Sequence, residues 1–172
     1  MKTVLGDIRR ADADFEMISQ GDSVAVGVSG GKDSLLLLYA LSLYRKFEHK
    51  DFSVRGVMLK MGLEPFDAVP LMRWCERQDI PLEIVETDIA KVVFDLRKEP
   101  NPCSLCAKMR RGALNDAAKN LGCNKVALGH HREDAIETLM MSMIFEGRLH
   151  TFHPNMFLLG ADVTVIRPMV YV

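Results

Sequence analysis

The sequence has little that would take it out of water or tie it to a fixed covalent frame. Its longest apolar stretch, "LLLLYALSLY" after Ser34, is about ten residues long and is broken by Ser42. Roughly twenty apolar residues would be needed to cross a bilayer, so no membrane association is expected. The opening "MKTVLGDIRRADADF" turns charged within seven residues. It lacks the apolar core of a secretory signal, and a cytoplasmic location is the expectation. Neither sign of charge dominates: 22 basic against 23 acidic residues leave a formal −1. Any binding of RNA must then come from a local patch rather than from the whole surface. Cysteine is scarce. Cys75, Cys103, Cys106 and Cys123 fit metal ligation, thiol chemistry or core packing in a reducing compartment better than a disulfide framework. No internal repeat or low-complexity segment interrupts the chain, and the eleven methionines read as flexible core filler.

The 172 residues suit a single domain with a proper core, 1–172, opened by an N-terminal helix within about residues 1–20. That helix is expected from Asp7 to Ser19, with Gly21-Asp22 turning the chain. Short β-branched runs predict strands at "SVAVGV" (23–28), "SVRGVML" (53–59), "LEIVET" (82–87), "KVALG" (125–129) and "VTVIRP" (163–168). Between them, helices are expected at 33–46, 69–79, within "IAKVVFDLRK" (89–98), from about Ser104 to Leu121 behind the loop "EPNP" (99–102), and at 132–145. Asp33 or Ser34 is placed to cap the second helix. Alternating strands and helices argue an α/β fold, a parallel sheet covered by helices on both faces. Right-handed crossovers line the strand C-termini along one edge, where ligands bind. The segments Ser29–Ser34 and Gly129–Asp134 both fall at such strand ends.

In "VAVGVSGGKDSLLLLYAL" (24–41), Gly30 and Gly31 let successive N–H groups point into one concavity. The following helix adds its positive end and Lys32 a full charge. Ser29 and Ser34 supply hydroxyls, with Asp33 between. This is an anion cradle, most simply for phosphates. It does not follow the GxxxxGK[ST] pattern of the Walker A loop. The plainer alternative is a tight strand–helix connection that needs small residues. In "NPCSLCAKMRRGAL", Cys103 and Cys106 open a helix, with Lys108, Arg110 and Arg111 behind them. Their spacing suits a shared metal, a redox pair or two packed cysteines. After Gly129 come His130, His131, Arg132, Glu133 and Asp134. For the two histidines, helix capping and surface exposure stand beside a functional reading, and His150 and His153 are given no role.

Taken together these segments resemble one family. "SGGKDS" resembles the PP-loop of the ATP pyrophosphatase superfamily, whose members cleave ATP between the α and β phosphates. "CSLCAKMRRG", "ALGHHREDAIETLMMSMIFEGRL" and "VIRPMVYV" resemble, in order, segments of the tRNA two-thiocytidine synthetases, and the likeness covers about residues 20–172. It implies a Rossmann-like PP-loop fold, with ATP held by Ser29, Gly30, Gly31, Lys32, Asp33, Ser34 and Gly129. Adenine is expected at the apolar end of the second strand, at Met58 and Leu59. Lys32, Asp134 and Arg110 take the catalytic roles, with Mg²⁺ held mainly by phosphate oxygens and by acids such as Asp33 and Asp134. Glu133 stands where the family usually has aspartate.

The resemblance also makes Cys103 and Cys106 ligands of a [4Fe–4S] cluster. It places the third cysteine in a C-terminal region of the family beyond Val172, so that either a C-terminal portion is lacking here or the cluster site is incomplete or differently liganded, and it leaves Cys75 and Cys123 to packing. The implied activity is an ATP-dependent tRNA sulfurtransferase that adenylates a cytidine carbonyl oxygen in the anticodon loop and replaces it with sulfur. The implied partners are tRNA, a sulfur donor (a cysteine desulfurase or free sulfide) and a second copy in a homodimer. Lys108–Arg111, Arg132 and Arg148 could hold RNA backbone, or simply form a solvated face. Two other readings compete. One is another PP-loop tRNA modification, 2-thiouridine or lysidine synthesis; the absence of cysteine before Cys75 counts against the thiouridine branch, which commonly opens with a zinc module. The other is a truncated, non-catalytic domain that binds ATP or metal.

Overall fold

The structure, a computed structural model, describes residues 1–62, 67–97 and 100–172. The parts of the expected loop and helix at residues 98 and 99 lie outside these. Helix α1 (Lys2–Phe15) is followed by β1 (Ser23–Val28), α2 (Lys32–Phe47), β2 (Ser53–Lys60), α3 (Val69–Arg77) and β3 (Leu82–Glu86). A π-helical turn (Lys91–Arg97) precedes α4 (Pro102–Asn120) and β4 (Lys125–Ala127). Then come α5 (Arg132–Met141), a second π-helical turn (Ser142–Glu146), β5 (Asn155–Leu158) and β6 (Val163–Ile166). The six strands lie in one sheet in the order β3-β2-β1-β4-β6-β5.

The period-two pattern of β1 sorts the layers. Val24, Val26 and Val28 join one buried cluster with Ile8 and Ala11 of α1, Leu37, Leu38 and Leu41 of α2, and Cys75 of α3. Ala25 points the other way, into a cluster with Ala117 and Ala118 of α4, Val126, Val163 and Val165. Residues on that second face of β1 are small, so α4 packs close: a Cβ at Gly27 would lie 2.8 Å from a Leu114 methyl. Helices thus cover both faces, as the strand–helix alternation requires.

Three expectations need correction. The sheet is mixed, not wholly parallel: β5 was not foreseen, and it runs antiparallel to β6, Asn155 opposite Ile166 and Leu158 opposite Val163. Its Phe157 and the neighbouring Leu159 are exposed, so the segment shows no buried alternation to read. The first helix lies earlier, ending at Phe15 with Glu16 in the left-handed region (φ 49°). Neither Asp33 nor Ser34 caps α2. Its N-cap is Gly31, with no side-chain cap bond, because the Ser34 hydroxyl turns back and donates to the Gly31 carbonyl at 2.8 Å.

Candidate active site

Strands β2 and β3 extend the sheet on one side of β1, and β4 begins the other side. The order therefore reverses between β1 and β4, where two loops diverge and leave a crevice at the strand C-termini. The β1–α2 turn and the β4–α5 turn flank that crevice. They touch: a Cβ on Gly129 would come within 3.2 Å of the Asp33 carbonyl carbon and the Ser34 nitrogen. A side chain at this position would press on the start of α2, which would have to give by a few tenths of an ångström. The two motifs separated by about a hundred residues in sequence form one surface.

The glycine turn is preformed by its own hydroxyls. Gly30 has φ +84°, in the region that glycine enters without strain. Ser34 Oγ lies 3.2 Å from both the Ser29 nitrogen and Ser29 Oγ, and the Gly31 N–H points at Ser29 Oγ at 3.4 Å. Because no side chain caps α2, its leading N–H groups remain available to an anion. Lys32 is nearly fully solvent-exposed, with Nζ 3.7 Å from Asp33 Oδ1. Met58 is buried in the core, whereas Leu59, at the strand's end, is half-buried.

On the other loop, Asp134 takes a structural part as well. Its Oδ2 accepts the backbone N–H of His131, the N-cap of α5, at 2.8 Å. This carboxylate-to-N-cap bond fixes the helix start and holds the acid half-buried at the crevice. His131 Nδ1 lies 3.6 Å from the same oxygen. The Arg132 N–H donates to the carbonyl of Val172 at 3.2 Å, which brings residue 172 to the site.

Behind this loop lies a group that the sequence reading passed over. Arg167, just past β6, is 8% exposed. Its guanidinium stacks 4.7 Å over the Phe152 ring and donates through Nη1 to the carbonyl of His153. His130 packs on the same ring, centroids 5.2 Å apart. Arg167 Nε and His130 Nδ1 are both buried with no hydrogen-bond partner among the described residues. Burial, and then the positive charge of Arg167, push the His130 imidazole below its ordinary value; Asp134 pulls the other way, and Arg111 adds a smaller push downward. Arg111, the neighbour of Arg110, is thus the α4 cation whose field reaches both His130 and Arg167. The arginine of "VIRP" was visible in the sequence, but nothing there said that it would be buried.

A helix joining parallel strands runs back against them, so α4 begins at the same sheet edge. Cys103 is exposed and Cys106 half-buried on its first turns, both free thiols, and Arg110 is exposed farther along. Asn101 caps the helix weakly through Ser104 N at 3.4 Å, ahead of Pro102. Cys75 and Cys123 are buried. Among the described residues no three His, Cys, Asp or Glu gather as a metal site. Cys103 and Cys106 are thus two thiols near the start of one helix, with no third ligating group gathered beside them among the described residues.

A PP-loop domain family matches residues 7–172. A tRNA-cytidine(32) 2-sulfurtransferase of Pelobacter propionicus is 40% identical over 165 residues, 95% of this chain and 61% of that protein. The corresponding protein of Geobacter sulfurreducens is 37% identical over 99% of this chain and 67% of its own length. Among solved structures, the U34-tRNA thiolase NcsA from Methanococcus maripaludis, with its [4Fe-4S] cluster, superposes with a TM-score of 0.75 at 28% identity, over 97% of this chain and 58% of that one. The chain spans about three-fifths to two-thirds of the length of these relatives. With its glycine turn and its histidine-led turn closed on each other at the sheet's switch point, the chain belongs to the PP-loop ATP pyrophosphatase superfamily, on the branch of the tRNA-cytidine 2-sulfurtransferases.

Proposed function

We propose that this chain is the ATP-using part of a tRNA sulfurtransferase acting on a cytidine of the anticodon loop. The observation that supports it most is the contact of Gly129 with Asp33 and Ser34, which joins the anion cradle to the Asp134 loop in one crevice. In this reading the β and γ phosphates of ATP sit on the N–H groups at the start of α2, with Lys32 against their charge. Asp33 and Asp134 are the acids that would face a Mg²⁺ ion, which would offset the charge of the polyphosphate. Asp134 keeps one oxygen on the His131 N–H and turns the other to the site. Adenine lies against Leu59 and the end of β2.

The cytidine C2 carbonyl oxygen attacks the α phosphorus, and the bond to the bridging oxygen breaks as pyrophosphate leaves. Lys32, together with Arg110 or Arg111, offsets the charge that builds on the leaving group. A hydrosulfide sulfur, supplied from outside the chain, then adds to C2. The C–O bond breaks, AMP departs with the former carbonyl oxygen, and loss of the S–H proton leaves C=S. Cys103 and Cys106 stand at the same edge as two ligands toward a [4Fe–4S] group. The cluster would supply a site for sulfur, and the steps drawn from this chain's residues do not depend on it.

The test is pyrophosphate release from ATP and Mg²⁺ with and without tRNA and sulfide, followed by mass spectrometry of the tRNA nucleosides. Release stimulated by tRNA and the appearance of 2-thiocytidine are expected; the absence of both overturns the proposal. The likeness to a U34-tRNA thiolase supports a second reading, in which 2-thiouridine appears instead. Independently of activity, iron taken up on anaerobic reconstitution is expected to depend on these two thiols and to be lost in Cys103→Ala. Iron-free protein would remove the cluster and leave the adenylation step standing.

A further inference from the structure

Beside the glycine turn, on the side of α2 away from Gly129, the molecule has a second concavity. Leu35, Leu36 and Tyr39 of α2 face Pro70, Leu71 and Trp74 of α3 across a cleft of about 530 Å³. This volume lies within the range of about 300–1,000 Å³ typical of small-ligand sites. Positions 35, 36 and 39 share one helical face with Lys32, whereas Leu37, Leu38 and Leu41 share the opposite, fully buried one. The cleft therefore lies outside the core, with Gly30 and Lys32 forming its end wall. The phosphate cradle and the cleft have that wall in common.

The lining is apolar with an aromatic edge. Tyr39 and Trp74 meet edge to face, ring centroids 5.9 Å apart at 61°, and both are half-buried. Arg73 and Arg77, one turn apart on α3 and both exposed, put positive charge beside Trp74. The acid at the cleft, Asp67, is engaged: its Oδ1 accepts the Val69 N–H at the start of α3 at 3.0 Å. A flat apolar ring carrying polar edges and tied to phosphate matches this combination of aromatic wall and cationic rim. A protein surface would find a cleft bounded on one end by a phosphate loop.

We propose that this cleft receives an unpaired base of the RNA, stacked on Trp74, with Arg73 and Arg77 against the flanking phosphates. The proposal rests on the tRNA reading above and deepens it, adding a second base-holding site next to the reacting one. It commits to an RNA base rather than to the adenine of ATP. The end of β2 lies on the same side of the turn as the cleft, so the adenine of ATP is the competing occupant that the ATP·Mg²⁺ titration separates.

Trp74 is the single tryptophan of the chain, so intrinsic emission reports on this cleft alone. The experiment titrates the chain with an RNA anticodon stem-loop, with a blunt RNA duplex and with ATP·Mg²⁺. It follows tryptophan emission and its protection from acrylamide, while the anisotropy of end-labelled RNA reports binding. Stem-loop binding with quenched, acrylamide-protected emission is expected, whereas the duplex leaves the emission unchanged. Trp74→Ala should weaken stem-loop binding about ten-fold, while Trp74→Phe keeps most of it.

Stem-loop binding with silent emission overturns this proposal and leaves the sulfurtransferase reading intact. Equal quenching by ATP reassigns the cleft to adenine. Emission that changes with protein concentration in the absence of RNA reassigns it to a second copy of the chain. If the RNA does not bind at all, the parent reading fails, and this one fails with it.

Discussion

Two buried polar clusters sit at opposite ends of the sheet and are built by opposite rules. At the end away from the crevice, Asp12 of α1 is 1% exposed and fully engaged. Its Oδ1 accepts the Ile18 N–H at 2.8 Å, and its Oδ2 accepts the Tyr44 hydroxyl and Lys50 Nζ, both at 2.8 Å. Burial and this carboxylate together hold the Tyr44 phenol far above its usual value. At the strand C-terminal end, Arg167 is buried and His130 half-buried, but each keeps a buried nitrogen without a partner, and no carboxylate forms an ion pair with the guanidinium, among the described residues. A scaffold can satisfy every polar group because nothing further has to bind it. A site that meets a polyphosphate works only if its donors and charges are not already neutralised.

The largest effect is expected at the satisfied end. Asp12→Ala leaves Tyr44, Lys50 and a backbone N–H without their acceptor and should lower the unfolding free energy by about 3 kcal/mol. Urea denaturation measures this, and Asp12→Asn should fall between the two. Next comes Lys32→Ala, expected to slow tRNA-dependent pyrophosphate release about 100-fold while leaving the urea midpoint in place, since the side chain is nearly fully exposed. A shifted midpoint would erase the distinction between the two ends.

Gly129→Ala tests whether the two loops act as one site. Its methyl meets backbone at 3.2 Å, and a displacement of a few tenths of an ångström should cost about ten-fold in the same assay. Unchanged release would separate the loops functionally.

The smallest effect is a pH dependence. His130 is pushed below its ordinary value in the folded chain, first by burial and then by Arg167. On acidification the unfolded chain therefore binds this proton first, so stability falls as pH drops below about 6.5. The fall continues until the folded imidazole itself protonates. His130→Gln should flatten this part of the stability–pH curve, and parallel curves for the two proteins would refute the assignment.

Much of this was legible in the chain. The short β-branched run of β1, the alternation of β2, the helix-forming run of α2 and the order of strands and helices pointed to the α/β layers, because such local patterns report strand, helix and buried face. The cradle residues Ser29–Ser34 stood out because lysine, aspartate and serine crowd a glycine turn. β5 was not legible, since an edge strand with Phe157 and nearby Leu159 exposed carries no alternation. The Asp33 or Ser34 cap was read from position alone. In the folded chain the Ser34 hydroxyl has a stronger claim, on the Gly31 carbonyl and the Ser29 hydroxyl.

What the sequence determined by itself is local. It set which segments are strands, where the backbone must turn at Gly30, and which residues could carry anion, thiol and acid chemistry. Tertiary structure alone decided what meets what: Gly129 against Asp33 and Ser34, Arg167 beneath His130 and Phe152, and Tyr39 against Trp74 across the α2–α3 cleft. Propensity and periodicity act over a few residues along the chain. These contacts join positions far apart in sequence, and they are set by the strand order that packing two layers of helices on one sheet selects.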